Sequence, residues 1–377
     1  MNDFSNIDYD SINLLFNQEP YQSNADDKKI LFNKALYESF RHHIKNNKLF
    51  RTFCENQNFD FNKMPEDLSE YPYLPVNIFK NRDLSSVSEK NINGILSSSA
   101  TSGIPSRIVL DSITSRRQTM ISAKVMSSYL GSKRRPYFVL DEDPLKSNAV
   151  EISARSAATR GFLILSSNPE YFLFQSGDHL NFDLNKFESF AEKNQNLEQE
   201  ICIFGFTYIL YSNVIQELLK KGVKFKLPKN SKVAHIGGWK KLESQKVSKE
   251  KFILDVSSVF GIDESNIFDF YGFTEQMGLL YVSAGHSPKI VPIYSEIIIR
   301  DFQTLEPVDD GKEGLIQILT PLPNSYPGIS VLTEDVGVIK NRGIDKFGRN
   351  GTQFEIIGRA KEAEVRGCGD IMSDYVA

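Results

Sequence analysis

The spacing of apolar positions changes along this chain, and each change predicts a different kind of element. From Asp26 to Asn58, residues Ile30, Leu31, Ala35, Leu36, Phe40 and Ile44 recur at near-helical intervals, which predicts helix. Pro65, Pro72 and Pro75 break that rhythm and predict an extended connector. A short strand is expected at Gly94-Ile95-Leu96, running into a loop of small hydroxyl residues. A helix from Asp111 to Leu130 is expected next, with Thr114 or Ser115 near its start. Through the middle, Tyr137–Leu140, Gly161–Leu165, Ile201–Phe204 and Val233–Ile236 are short unbroken apolar runs, as in strands buried on both faces. Helical stretches at Tyr208–Lys221 and Val247–Phe260 lie between some of them. Such alternation predicts an α/β fold with a largely parallel sheet.

From Ile290 onward the texture is β-rich: Tyr294–Arg300, Gly314–Leu319, Val331–Ile339 and Gln353–Ile357, separated by Gly and Pro turns. This reads as a smaller sheet or distorted barrel. With no segment that looks like a linker, the expectation is a single catalytic domain over 1–369. It would comprise a helical region to about 90, an α/β core over about 91–289, a β-rich region over about 290–369, and a tail at 370–377.

Charge and cysteine usage narrow the function classes. The 377 residues carry a formal net charge of −4, which argues against a general nucleic-acid binder. The short basic cluster Lys133-Arg134-Arg135 reads as a solvated loop. Three cysteines, Cys54, Cys202 and Cys368, lack CxxC spacing, which argues against a disulfide framework or zinc site and predicts a reducing, cytoplasmic setting. Cys54 and Cys202 stand among aromatic residues and are expected in the core. The first residues carry acids where a signal peptide carries bases, and no apolar run approaches the roughly 18 residues that span a bilayer, so no membrane insertion is expected. His42 and His43 lie in the first helical stretch and are expected at the surface, and His235 reads as a structural histidine.

Three segments carry candidate chemistry. In Ser97-Ser98-Ser99-Ala100-Thr101-Ser102-Gly103-Ile104-Pro105, hydroxyls and approachable backbone N–H groups suit an anion such as a triphosphate, although the Walker A pattern is absent. In Tyr271-Gly272-Phe273-Thr274-Glu275, a hydroxyl and a carboxylate follow an apolar run, where open α/β sheets bind ligands. Glu275 there could hold Mg²⁺ on a nucleotide. In Thr333-Glu334-Asp335-Val336-Gly337, followed by Gly358-Arg359, an acid can accept from ribose hydroxyls and a guanidinium can donate to sugar or phosphate. Each segment taken singly also reads as an ordinary loop, helix start or turn.

In this order and separation, the segments resemble the core motifs of the adenylate-forming superfamily. The resemblance covers about residues 95 to 369. It implies an adenylate-forming N-terminal-domain-like fold and ATP and Mg²⁺ as cofactors. It assigns phosphate to Ser98, Ser99, Thr101, Ser102 and Gly103, phosphate and Mg²⁺ to Thr274 and Glu275 beside Tyr271 and Gly272, and ribose to Asp335 and Arg359. The segment His235-Ile236-Gly237-Gly238-Trp239 matches the superfamily's stretch beside the adenine and acyl pocket, whose wall is expected to include Phe204, Phe206 and Trp239.

The phosphate loop of that superfamily usually ends in Pro-Lys. Here Pro105 is followed by Ser106 and Arg107, which leaves Arg107 as the candidate to replace the lysine. The usual C-terminal lid, with its catalytic lysine, is also not expected. Together with the Ser-rich loop, the Gly-Gly-Trp-Lys segment and the terminal Arg366-Gly367-Cys368, this makes the chain similar to the LuxE-type acyl-protein synthetases. That resemblance implies acyl transfer from a fatty acyl-adenylate to Cys368, then to a partner such as a reductase or carrier protein. Arg366 would favour the thiolate, and Gly367 and Gly369 would let the backbone bend. The competing expectations are a ligase using coenzyme A, a carrier protein or a sugar amine as external acceptor, and a non-catalytic adenylate-binding subunit.

Overall fold

The computed structural model describes residues 10–22, 24–98, 105–143, 152–177, 179–194, 200–239 and 246–360. The chain forms two compact units. The first gathers Met1–Lys124, Phe273–Leu279 and Lys289–Ala377, and the second gathers Val125–Gly272 and Leu280–Pro288.

The second unit is built on the predicted buried strands. Arg135–Leu140, Cys202–Phe206, Lys232–Ile236 and Ile267–Tyr271 lie side by side and parallel, with Tyr137 opposite Cys202, Val233 opposite Ile203, and Val233 opposite Ile267. Tyr281–Ala284 pairs antiparallel beyond Ile267–Tyr271. Tyr137 through Leu140 and Ile201 through Phe204 are all buried, as strands covered on both faces require. The Lys249–Phe260 helix covers the sheet with Phe252, Ile253, Val256, Val259 and Phe260. Ser248 caps its start by accepting the Lys251 N–H.

Two expectations fail in this unit, each for a physical reason. Gly161–Leu165 is not a strand: helix Ala154–Phe162 runs into a 3₁₀ turn at Leu163–Leu165. A short apolar run fits a buried helix end as well as a strand. On the side away from Cys202–Phe206, Arg135–Leu140 pairs instead with the polar Ser166–Tyr171, at the sheet edge, where Pro169 is tolerated. Arg135 of the basic cluster is not solvated but buried, and its guanidinium pairs with Glu200 at 2.5 Å.

In the first unit, helices Asp10–Asn17, Ala25–Asn46 and Lys48–Asn56 accompany an antiparallel sheet. Its strands run Glu296–Arg300, Glu313–Leu319, Ser330–Ile344, Asn350–Arg359, with Lys289–Ile290 paired beyond the last of them. Leu74–Pro75 of the proline-rich connector adds a parallel bridge to Ser330–Ile344. A hairpin, Gly94–Ser97 with Arg107–Leu110, carries the Ser-rich loop.

The segment 321–329 between two of these strands is irregular yet wholly buried. Its polar groups therefore need protein partners. Asp111 Oδ2 accepts from Asn324 Nδ2 at 2.7 Å, and Thr114 Oγ1 accepts from the N–H groups of Asn324 and Ser325. Ser325 Oγ donates to Val109 O, and Ser86 N–H donates to Ser325 O at 2.7 Å. His42 and His43 belong to this network and are buried, contrary to the expectation of surface residues. His42 Nε2 lies 2.9 Å from Asn324 O, and His43 Nε2 lies 3.2 Å from Pro323 O. A carbonyl can only accept, so each Nε2 carries the proton. The other His43 nitrogen then accepts from Ser86 Oγ at 2.8 Å. Burial is the main reason both imidazoles titrate below the ordinary histidine value, His43 well below it.

This has a consequence for pH. Above about pH 6.5 both rings are neutral in folded and unfolded chains alike. Below it, the unfolded chain takes up protons that the folded chain refuses. Stability should then fall by up to about 1.4 kcal/mol per pH unit for each histidine, down to the folded-state values. Urea denaturation at about pH 7.5, 6.5 and 5.5 checks this. A His42→Gln variant keeps an N–H donor for Asn324 O and should show a shallower slope, whereas a flat wild-type profile would refute the neutral-histidine assignment.

Candidate active site

The two ends of the Ser-rich loop are clasped together in the first unit. Ser98 N–H donates to Ser106 O at 3.1 Å, and Ser98 Oγ accepts the Ser106 N–H at 2.8 Å. Ser99, Thr101, Ser102 and Gly103 lie outside the described residues. Ser106 is fully buried, and its hydroxyl makes no hydrogen bond of ordinary geometry. Arg107, next in the chain, is half-exposed and pairs with Asp83 at 2.9 Å.

Thr274 and Glu275 stand on a single 3₁₀ turn, Thr274–Gln276. Glu275 is buried, and its neighbour Gln276 fixes the turn by donating to Gly328 O at 2.8 Å and Ile318 O at 3.2 Å. Tyr326 OH, from the buried 321–329 segment, donates to Glu275 O at 2.9 Å. Gly328 permits this approach, since a Cβ there would collide with the Tyr326 ring and stand 2.9 Å from Glu275 O. Burial lifts the Glu275 carboxyl above the ordinary carboxylate value. Ser106, the backbone N–H of Glu275, Lys80 and Arg359 oppose that shift. A buried carboxylate left short of compensation fits a divalent cation. Among the described residues no group of three or more His, Cys, Asp or Glu side chains could hold a metal. One carboxylate completed by phosphate oxygens is the arrangement magnesium favours.

Asp335 and Arg359 are far apart in the chain and directly opposite in the sheet, where Ser330–Ile344 pairs with Asn350–Arg359. A bulge just beyond, between Val336 and Gly337, shifts the register before the pairing resumes with Gly337 opposite Ile356. Thr333 explains the Thr-x-Asp spacing: its hydroxyl donates to Ile316 O at 2.8 Å and accepts the Asp335 N–H at 3.2 Å. Arg359 is exposed and also pairs with Glu334.

In the second unit, Tyr271 and Gly272 close the Ile267–Tyr271 strand, and the Tyr271 ring lies 6.0 Å from that of Tyr281. Phe273–Leu279 belongs to the first unit. His235 is buried at the end of the neighbouring strand, with Nδ1 2.8 Å from Thr207 Oγ1 and its ring 4.5 Å from Phe252, consistent with a structural role. Gly237 follows with a left-handed φ of 87°, which turns the chain out of the strand. Trp239 is buried edge-on against Tyr211 at 5.5 Å. Phe204 stacks on Phe162 at 4.4 Å, and Phe206 lies beneath the Arg155 guanidinium. Cys368 lies outside the described residues. Cys54 and Cys202 are buried thiols, as expected. Burial pushes both upward in pKa, Cys202 to about 12. No helix among the described residues is long and apolar enough to cross a membrane.

Against known proteins, the model of the acyl-protein synthetase family, LuxE, matches residues 3–377. A long-chain-fatty-acid–luciferin-component ligase of Aliivibrio fischeri is 24% identical over 366 residues, covering 96% of this chain and 93% of the relative. The protein of the same name from Vibrio harveyi is 25% identical over 366 residues, covering 96% and 92%. Among solved structures, an open conformation of 2-hydroxyisobutyryl-CoA ligase in complex with 2-HIB-AMP and CoA superposes with a TM-score of 0.68. It is 12% identical and covers 90% of this chain and 76% of that one. The fold is thus that of the adenylate-forming ligases, as the motif order predicts.

Sequence reasoning missed Tyr326 and Ser106. Tyr326 sits in Pro321-Leu322-Pro323-Asn324-Ser325-Tyr326-Pro327-Gly328, which reads as a turn separating two strands. Its one sequence signal is an aromatic residue inside a Pro/Gly-rich turn. Replacing Tyr326 with Phe removes the donor to a buried carbonyl and should cost about 1–3 kcal/mol. Chemical denaturation of the variant measures this, and unchanged stability would show that the bond is dispensable.

Proposed function

The chain belongs to the acyl-protein synthetase family, LuxE, and is an enzyme of the ligase class; on that footing we propose that it uses ATP to activate a carboxylic acid as its acyl-adenylate. A long-chain fatty acid is the substrate class named for its relatives. A carboxylate oxygen attacks the α-phosphorus, the bond from that phosphorus to the bridging oxygen breaks, and pyrophosphate leaves. The protein's task in this step is positioning and charge neutralisation. Asp335 would accept from the ribose hydroxyls and Arg359 would donate to the sugar, while Thr274 would donate to phosphate oxygen. Glu275 would hold Mg²⁺, which when bound neutralises phosphate charge. Gly237, Gly238 and Trp239 would serve the adenine and acyl portions.

In the second half-reaction the thiolate of Cys368 attacks the acyl carbon of the mixed anhydride, AMP leaves, and a thioester forms. A thiol near neutral pH is a strong nucleophile even when only a few per cent is ionised. The acyl group then passes to an acceptor on a partner protein. The observation that carries the reading is the strand register that sets Asp335 directly opposite Arg359, joining two motifs separated in the chain.

The test combines Mg-ATP with a panel of radiolabelled acids. Acid-dependent pyrophosphate release is expected, with hydroxylamine-labile label on the protein that is absent from Cys368→Ser. Asp335→Ala should lower kcat/KM for ATP about 10- to 100-fold, as loss of a charged hydrogen bond does. Pyrophosphate release without protein labelling would indicate an external acceptor. Neither signal with any acid would indicate a non-catalytic adenylate-binding subunit.

A further inference from the structure

The parallel strands of the second unit follow one another in the chain as Arg135–Leu140, Ser166–Tyr171, Cys202–Phe206, Lys232–Ile236 and Ile267–Tyr271, but in space their order differs. Ser166–Tyr171 lies on one side of Arg135–Leu140. Cys202–Phe206 returns to the other side, and the remaining strands continue outward from it. The strand order therefore reverses between Arg135–Leu140 and Cys202–Phe206. Such a reversal opens a crevice at the carboxyl ends of the two strands, and ligands of open α/β sheets bind there. Leu140 stands opposite Gly205, so Asp141 and Phe206, next in the chain, form the two lips of the crevice. One side chain reaches both lips. The Arg155 guanidinium lies 5.4 Å from the centre of the Phe206 ring and grips Asp141 with two prongs, Nε 3.3 Å from Oδ2 and Nη2 bonded to Oδ1.

This ion pair is built unequally. The Asp141 side chain is 6% exposed, and its oxygens also accept from Thr159 Oγ1 at 3.1 Å and the Glu142 N–H at 2.9 Å. The Arg155 side chain is 41% exposed, and its Nη1 is not one of the prongs on Asp141. Arg155, Thr159 and Phe162 fall at i, i+4 and i+7 of helix Ala154–Phe162, on one face. Phe162 stacks on Phe204 at 4.4 Å and meets Phe270 edge-on at 4.8 Å, and Phe206 lies 5.9 Å from Phe204. A partly exposed cation thus stands at the mouth of an aromatic wall.

We propose that Arg155 receives the carboxylate of the acid substrate in this crevice, with Asp141 and Thr159 positioning its guanidinium and Phe206 offering the apolar contact. The assignment rests on the adenylation reading above and names the residue that selects an acid. A planar guanidinium fork matches a carboxylate in shape, and its charge is fixed at any working pH. The acid binds as its anion, and no bond or proton changes hands at Arg155. Asp141 already balances the guanidinium in part, so the crevice suits one negative charge better than the two of a phosphate. The aromatic wall likewise suits a ligand whose charged end continues into carbon. A purely structural ion pair would treat charged and neutral ligands alike, and that difference decides the test.

The test uses the full chain and two readouts. Titration calorimetry without nucleotide compares straight-chain acids from butanoate to dodecanoate with the matching alcohols. Acid-dependent ATP–pyrophosphate exchange gives KM for the acid and for ATP. Wild type should bind at least one acid about 10-fold or more tightly than its alcohol. In Arg155→Ala that acid should weaken about 10- to 100-fold, while the alcohol stays within about threefold. KM for the acid should rise in parallel, with KM for ATP unchanged. Equal loss of acid and alcohol binding would overturn the assignment, as would a wild type that binds no acid or shows no preference for acids. Binding of AMP or coenzyme A lost in Arg155→Ala, with acid binding kept, would overturn it too and give the cation to a phosphate. Arg155→Ala leaves a buried carboxylate without its cation. Should it fail to fold, Arg155→Ala combined with Asp141→Asn removes both charges and carries the same expectations. A wild type that prefers acids to alcohols but exchanges with none refutes adenylation, while the binding comparison still decides Arg155.

Discussion

The first unit depends on burying an irregular stretch of backbone. Residues 321–329 have no ladder of their own, yet they are shielded from water throughout. A buried backbone group left unpaired costs about 1–3 kcal/mol, so such a segment persists only where side chains from elsewhere meet it. Here Asp111, Thr114, Ser86, His42 and His43 do so. The two histidines act as neutral donors, a role that a surface lysine or glutamine in the same helix could not fill without bringing charge or losing the rigid ring.

That network has a chemical product. By holding the segment still it fixes Tyr326, and Tyr326 with Gln276 fixes the turn that carries Thr274 and Glu275. In the proposed role as a cation ligand, a carboxylate needs burial to make the interaction strong and support to prevent collapse onto a nearby donor. Glu275 is buried, and its backbone rather than its carboxyl takes the tyrosine bond. The raised carboxyl pKa follows from the same burial.

Much of this was legible in the sequence, but unevenly. Unbroken apolar runs located Arg135–Leu140, Cys202–Phe206 and Lys232–Ile236, because strands buried on both faces admit little else. The same rule misled at Gly161–Leu165, where a helix end buries Phe162 and Leu165 and leaves Leu163 and Ile164 half-buried, and it passed over the polar edge strand Ser166–Tyr171. The motif residues Glu275, Asp335 and Arg359 could be named from spacing. What spacing cannot state is that 335 and 359 meet across a strand pair, or that 275 leans on 326, since both depend on long-range register. His42 and His43 were misjudged for a related reason. Helical periodicity says which face a residue occupies, and says nothing of a buried loop supplying carbonyls to it.

The cysteines make the last link between packing and chemistry. Acyl transfer needs a thiolate, and a thiolate needs water or a cation to sustain its charge. Cys54 packs in the first unit and Cys202 in the central strand of the second. Both are held in their protonated form by the burial that makes them good core residues. Exposing either would mean opening a core that includes Phe50 and Phe53 in one unit, or Ile201 and Ile203 in the other. Cys368 lies outside the described residues, and its nucleophilic role is the proposal its motif supports. The folded cores thus account for why Cys54 and Cys202 do not compete for the acyl group, while the proposed acceptor rests on its motif.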